Sequence, residues 1–271
     1  MSNPYLEFVE GIEAGISKAR GVEVSGQAET SESGPVVLLF SPHPDDECIT
    51  GLLPLRLARE AGRQIVNVPV TYGSNPERQA ARAAELEAAC GFLGWRIHQG
   101  RDNLRSLGVD GATRIIEELE PEIIFLPHAR DWNARHISTH FLVMEALANT
   151  DPGFSCLLAE TEFWAAMESP NLLVEGDARS VADLVAATSL HTGEVARNPY
   201  HLLLPAWMQD NVRRGGELVG GQGEAAPDFS FATLYHLRRW SEGRTQRVLE
   251  GGTVLPLGAD LQALLQLPGG K

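Results

Sequence analysis

Cysteine is scarce in this chain of 271 residues: Cys48, Cys90 and Cys156 stand far apart and are odd in number. Neither a disulfide framework nor a cysteine-built metal site is indicated, and a reducing, cytoplasmic setting suits three free thiols. No stretch reaches the ~18 consecutive apolar residues that a membrane span needs, so no membrane partner is expected. The opening Met1-Ser2-Asn3-Pro4-Tyr5 has no basic run leading into an apolar segment, and a secretory signal is not expected. Basic charge is in deficit: 22 Lys and Arg against 36 Asp and Glu leave a formal net charge of −14. A nucleic-acid binder needs a basic surface for the phosphates, so that class is excluded. The Gly-rich stretch Asn211 to Gly223 has neither the Gly-Lys-Ser/Thr ending of a P-loop nor the strand that precedes a dinucleotide fingerprint. It reads as a mobile loop near the mouth of a site.

With 43% hydrophobic and 21% charged residues, what is present is an ordinary globular composition, long enough for one large domain or two small ones. Leu6, Val9, Ile12 and Ile16 recur at helical spacing and predict a short helix over residues 5–20. From Gly21 to Gly34 the chain is mostly polar and reads as a flexible connection. Val36 to Phe40 is a continuous β-branched, aliphatic and aromatic run, the pattern of a strand buried on both faces. A helical pattern follows over Leu52 to Ala61, then a second strand in Ile65 to Val70, whose Pro69 points to an edge or an end. Pro76 to Leu93, rich in Ala, Glu and Arg, predicts a long helix stopped by Gly94. Trp95 to His98, Ile115 to Leu119 and Glu122 to Pro127 continue with strand, helix and strand. Such alternation predicts an α/β fold, a mostly parallel, Rossmann-like sheet flanked by helices, followed by a smaller mixed C-terminal cap. The expected boundaries are 1–34 for the N-terminal helix and connection, 35–245 for the domain (core 35–150, cap 151–245), and 246–271 for a tail.

At the end of the first buried strand the chain reads Ser41-Pro42-His43-Pro44-Asp45-Asp46-Glu47. The backbone cannot continue a central ladder through the prolines, and ionisable groups gather at the carboxyl end of a strand, where open α/β sheets hold their ligands. His43 and Asp46 offer an imidazole nitrogen and a carboxylate oxygen, both good ligands for zinc. Asp45, between them, would point past a metal and accept a proton from an attacking water. The competing reading has Asp45 or Asp46 capping the following helix and His43 as a polar loop residue.

The His43-Pro44-Asp45-Asp46-Glu47 motif after a hydrophobic strand resembles the LmbE-like, or PIG-L, family of zinc-dependent N-deacetylases, and the likeness extends over most of Pro35 to Gly243. The resemblance implies zinc ligation by His43 and Asp46 and a general-base role for Asp45. Arg82-x-x-Glu85, followed by Ala89 and Leu93-Gly94, reads by itself as a helix-surface ion pair. The same arrangement in the family implies that Arg82 reaches the substrate or the acetate product, with Arg78 as the competing choice. His136 and His140 stand i, i+4 on a helix leading to Leu147, so they share one face. The family's downstream zinc histidine precedes a Leu-Val pair by six residues. That count selects His136, ahead of Leu142-Val143, and leaves His140 to helix packing or to support behind the ligands.

Here the chain departs from the family. Many members read His-Pro-Asp-His where this sequence has Asn133-Ala134-Arg135-His136. Asn133 can donate a hydrogen bond to a tetrahedral intermediate but cannot deliver a proton to a leaving amine. His128, His191 or a protonated Asp45 are the candidates for that acid. Asp131 matches an aspartate that would orient His136 by a hydrogen bond. Further on, strands over Leu157 to Trp164 and Pro170 to Val174 and a helix over Val181 to Leu190 precede His191, which the likeness places by the active-site mouth as a substrate contact. A cap on that helix's C-terminus is the other reading. Thr233 to Trp240 has Leu234, Leu237 and Trp240 at helical spacing and reads as a helix. Val254 to Leu267 is a weakly amphipathic tail suited to packing on a neighbouring chain, which leaves a homo-oligomer open.

The resemblance therefore implies a hydrolase with Zn2+ held by His43, Asp46 and His136, acting on a small amino-sugar substrate, an N-acetylglucosamine derivative. Two other readings stand beside it: a zinc-binding regulatory protein without turnover, on which Asn133 bears, and hydrolysis of a different small amide.

Overall fold

The computed structural model describes residues 3–28, 33–98 and 106–267; part of the Gly21–Gly34 connection (29–32) and the chain's last four positions (268–271) lie outside the described residues. The first half runs α1 (Leu6–Ala19), β1 (Val36–Ser41), α2 (Asp46–Ile49), α3 (Leu52–Ala61), β2 (Gln64–Pro69), α4 (Pro76–Leu93), β3 (Arg96–Ile97), α5 (Val109–Leu119), β4 (Ile123–Pro127) and α6 (Ala134–Ala148). The second runs β5 (Cys156–Thr161), β6 (Leu172–Gly176), α7 (Ala178–Ser189), α8 (Thr192–Arg197), a 3-10 turn (Tyr200–Leu203), α9 (Leu204–Leu218), β7 (Phe231–Ser241), β8 (Arg244–Arg247), β9 (Thr253–Leu255) and α10 (Leu261–Leu265).

All described strands join one sheet in the order β3-β2-β1-β4-β5-β7-β6-β9, with β8 on β7. The pairs from β3 to β5 are parallel, as is β6 with β9, whereas β7 runs antiparallel to β5, β6 and β8. The apolar runs of β1, β2 and β4 are buried on both faces. Along β1, Val37 and Leu39 enter a core with α3, α4 and α7, while Leu38 and Phe40 enter the opposite core with α5 and α6. That period of two explains why no polar residue interrupts Val36–Phe40. Pro69 ends β2, an interior strand between β1 and β3. From β1 the chain moves outward to β2 and β3, then returns to place β4 on the other side of β1. The turn after β1 and the loop after β4 therefore meet at the point where strand order reverses, the crevice in which such sheets bind ligands.

Three expectations are corrected. Thr233–Trp240 is strand, not helix: Thr233, Tyr235 and Leu237 are buried on one face and Ala232, Leu234 and Trp240 on the other. A three-residue spacing of apolar groups coexists there with a period of two, and hydrogen bonding to both β5 and β6 decides for the second. Asn211–Leu218 is helical rather than a mobile loop. Its glycines serve close packing, since a Cβ on Gly215 would stand 2.7 Å from Leu173 and one on Gly216 2.8 Å from Ala226. The tail packs on its own chain: β9 pairs with β6, the buried Arg56 guanidinium donates to Leu255 O and Pro256 O, and Leu261 and Leu264 enter the core beside α3.

Leu261→Ala should accordingly lower unfolding stability by about 2–5 kcal/mol, the usual cost of emptying a buried leucine site. Denaturant melts of the two proteins measure this. A tail that hung free would leave the midpoint unchanged.

Candidate active site

The turn after β1 is held by its own carboxylates. Asp46 opens α2 and folds back, Oδ2 accepting the backbone N–H of His43 at 2.9 Å. Asp45 sits at φ 112°, a conformation a non-glycine residue adopts only when its surroundings enforce it. What enforces it is Glu47, whose Oε2 accepts the Asp45 N–H at 2.8 Å. This turn aims Asp46 at two imidazoles: Nδ1 of His43 and Nε2 of His136 each lie 3.3 Å from Asp46 Oδ2. Their ring centroids are 5.4 Å apart. Ligand atoms of His43, Asp46 and His136 all lie within 4.8 Å of one another.

Burial alone would raise the Asp46 carboxyl, but the His136 and His43 rings hold it well below the usual carboxylate range. Both ring nitrogens of His136 are buried without a hydrogen-bond partner, although Asp46 is close. Buried polar atoms left unpaired are costly, and a cation between these three groups would engage Nε2. Two nitrogens and one carboxylate oxygen are a donor set suited to zinc, so the residues present fit such an ion.

The loop after β4 supplies the backing. Asp131, buried, accepts the N–H groups of Asn133 at 2.8 Å, Trp164 at 3.1 Å and Ala165 at 3.4 Å. Its Oδ1 stands 3.7 Å from His136 Nδ1, facing the ring but beyond hydrogen-bond length. Asn133 is the N-cap of α6, with Oδ1 accepting from Arg135 N at 2.8 Å, so only its amide NH2 remains to donate. His140 is turned away from the cluster, with Nδ1 2.9 Å from Pro127 O. His128 is bonded through Nε2 to Ala165 O at 2.9 Å.

A cavity of about 380 Å³ opens over the cluster, and His43, Asp45, Asp46, Arg82, Asn133 and His136 all contribute to its wall. Arg82 is fixed there by donating to Pro44 O at 3.0 Å and by packing on bare Gly73, where a Cβ would meet its guanidinium at 2.6 Å. Arg78 lies behind, on Glu194 at 3.0 Å. His191 is not on the wall. It is fully buried, with Nε2 2.6 Å from Glu47 Oε1, so a direct substrate contact is replaced by a place behind the glutamate that holds Asp45. Burial would lower the His191 pKa, but Glu47 raises it above its ordinary value.

The sequence pattern assigned no role to the rest of this wall. Tyr200, in the 3-10 turn, donates its hydroxyl to Asp45 Oδ2. Burial, then the nearby Asp46 carboxylate, pushes the Asp45 carboxyl up to about 8, with His191 and Tyr200 opposing. Phe163 meets the His136 ring edge-on at 4.9 Å, and Trp164, Leu203 and Trp207 complete an apolar side. Tyr200 is 155 residues from Asp45, and no local pattern signals such a meeting.

The α/β sheet thus places a two-histidine, one-carboxylate cluster that could hold a metal ion, with a further carboxyl group beside it, at its strand-order switch. Residues 38–147 match the family model described as PIG-L, GlcNAc-PI de-N-acetylase, so this part of the chain is similar to the LmbE-like, or PIG-L, proteins. The matched model describes an N-deacetylase, and that match supports an N-deacetylase hydrolase. No curated protein matches it by sequence. Among solved structures, it is similar to the 4-carboxy-2-hydroxymuconate hydratase GalB of Pseudomonas putida KT2440, at 17% identity over 81% of this chain and 100% of that one, TM-score 0.57. N,N'-diacetylchitobiose deacetylase from Pyrococcus horikoshii matches at 15% identity over 88% and 93%, TM-score 0.54. A teicoplanin deacetylase in its zinc-inhibited form matches at 16% over 76% and 98%, TM-score 0.51. At these identities the likeness is one of fold.

Replacing His191 by leucine would strand Glu47 in the interior without its partner. His191→Leu should destabilise the protein by about 3–5 kcal/mol, and His191→Gln, which keeps a donor near the position of Nε2, should recover much of this. Chemical denaturation of the three proteins decides; equal midpoints would mean that the pair holds nothing in place.

Proposed function

We propose that the protein is a zinc-dependent hydrolase that removes the acetyl group from an N-acetylated amino sugar, an N-acetylglucosamine derivative. One observation carries this reading: three metal-ligating side chains converge in a cavity whose wall also bears Asp45, a carboxylate outside the ligand set. The family description, a GlcNAc-PI de-N-acetylase, supports the reaction type and the sugar, and deacetylases of diacetylchitobiose and teicoplanin share the fold. A hydratase shares it too, so the family match over residues 38–147, not the fold, favours deacetylation.

A zinc ion held by His43, Asp46 and His136 would supply Lewis acidity, lowering the pKa of water toward ~7 and polarising a carbonyl. Asp45 acts as the general base, with one oxygen held by the Tyr200 hydroxyl and the other turned to the attacking water. The amide NH2 of Asn133, with Arg82 beside it, donates to the oxygen on which negative charge develops. Asp131 keeps Asn133 and the His136 loop in register. For the proton owed to the leaving amine, His128 and His191 are each occupied by a hydrogen-bond partner away from the cavity wall, which leaves Asp45 to return the proton it took. Acetate and a free amine are the products.

His43→Ala and His136→Ala should each lose stoichiometric zinc, read by elemental analysis after dialysis, because each removes one of three ligands. Asp45→Asn should keep zinc and lose most amine release from a panel of N-acetyl amino sugars; an undiminished kcat there would dismiss the base. Asn133 has two duties, so Asn133→Ala should cost about 1 kcal/mol of stability through the lost cap and on the order of 10²-fold in kcat. Asn133→Ser keeps a capping oxygen and should show only the kinetic loss. A kinetically silent Asn133→Ala would leave the residue a cap alone.

A further inference from the structure

One side of the candidate active-site cavity has no duty in the hydrolysis itself. Ile49, Phe163, Trp164, Leu203, Leu204 and Trp207 line it, and it grades outward. Phe163 meets the His136 ring at 4.9 Å, whereas Trp164 and Leu203 are 59% and 55% exposed. Large apolar side chains left open on the wall of a pocket mark a surface made to be covered. They are held in place by polar groups behind them. Asp131 accepts the backbone N–H groups of Trp164 and Ala165, and Glu162 accepts that of Met167 at 2.7 Å. Glu162, 2% exposed, is also gripped by both terminal nitrogens of Arg214, at 2.7 and 2.9 Å. Arg214 belongs to α9, the helix that carries Leu204 and Trp207. One buried ion pair therefore ties the loop bearing Trp164 to the helix that forms the other half of the apolar side. Asp131 serves both that loop and Asn133, so the apolar end and the chemical end share an anchor. A surface ordered before its ligand arrives loses little freedom on binding.

We propose that the substrate carries an aryl or alkyl aglycone next to its acetamide, and that Trp164, Leu203 and Trp207 seat that group. The proposal rests on the deacetylase reading for the acetamide end, and on the wall alone for the aglycone. A second sugar ring fits this side poorly. Its hydroxyls need partners when they leave water, and the six lining side chains offer two indole N–H donors and no acceptor. An anionic group would have to compete for its cations, because Arg197 is bonded to Glu194 at 2.6 Å and Arg82 to Pro44 O at 3.0 Å. An apolar aglycone needs no such partner and gains by covering the two indole rings. At about 380 Å³, the cavity lies toward the small end of the ~300–1,000 Å³ usual for small-molecule sites, which suits one sugar with a compact aglycone.

The test assays the zinc-loaded full chain for amine release from free N-acetylglucosamine, its phenyl and hexyl glycosides in both anomers, N,N'-diacetylchitobiose and N-acetylglucosamine 1-phosphate. A phenyl or hexyl glycoside should exceed the free sugar by about tenfold or more in kcat/KM, chiefly through a lower KM. Trp164→Ala keeps the backbone N–H that Asp131 accepts; combined with Leu203→Ser, it should bring that ratio toward unity, and Trp164→Phe should retain most of it. Calorimetric titration with phenyl glucosaminide and with glucosamine, the corresponding amines, reads the apolar side without turnover, and the phenyl compound should bind more tightly. That order of affinity with no acetyl release from any sugar would sink the deacetylase reading and leave the apolar subsite standing. Turnover with equal kcat/KM for free sugar and glycosides would overturn the subsite, as would equal affinities for the two amines. A preference undiminished in the Trp164→Ala/Leu203→Ser protein, or a larger one for the disaccharide or the phosphate, would overturn it too.

Discussion

A carboxylate that is 3% exposed needs partners, and Asp46 finds its partners in two imidazoles brought from separate parts of the chain. Its charge is retained because His136 and His43 outweigh the desolvation that would neutralise it. Much of the surrounding structure follows from keeping those three groups together. β1 must end where it does, β4 must lie beside it, and α6 must begin with His136 on its first turn. The switch in strand order between β2-β1 and β1-β4 satisfies all three conditions.

Around that centre, several residues that face the cavity are held by ones that do not. Glu47 fixes the strained backbone of Asp45, and His191 fixes Glu47. Asp131 gathers three backbone N–H groups of the loops that carry Asn133 and Trp164. Arg82 is clamped between Pro44 O and Gly73. Preorganised supports of this kind let a site present charge and donors without reorganising during the reaction. The second half of the chain makes its contribution by closing the cavity, with Tyr200, Leu203 and Trp207 arriving from α9 and the turn before it.

Much of this was legible in the residues themselves. A fully apolar strand, two prolines and a cluster of ionisable groups marked the turn after β1, because a central ladder cannot pass a proline and buried carboxylates need a purpose. Alternating strand and helix patterns gave the parallel half of the sheet, where hydrophobic runs on doubly covered strands are long and unmistakable. β7 was misread because three apolar residues at a spacing of three satisfy a helix as well as a strand. The glycines of α9 were misread because Gly215 and Gly216 look permissive until Leu173 and Ala226 stand against them.

By itself the sequence determined the turn, the ionisable groups gathered in it and the alternation of strands and helices, since these depend on local pattern and on backbone chemistry within a few residues. Only the tertiary structure decided that His191 stands behind Glu47 rather than at the mouth, that His140 turns away while His136 faces Asp46, and that Tyr200 reaches Asp45 across 155 residues. It also decided that the tail belongs to its own core while α1, among the described residues, has no fully buried side chain. Each of those outcomes depends on which surfaces become neighbours once the sheet is assembled. Burial and hydrogen-bond pairing are properties of the neighbours, not of the residue alone.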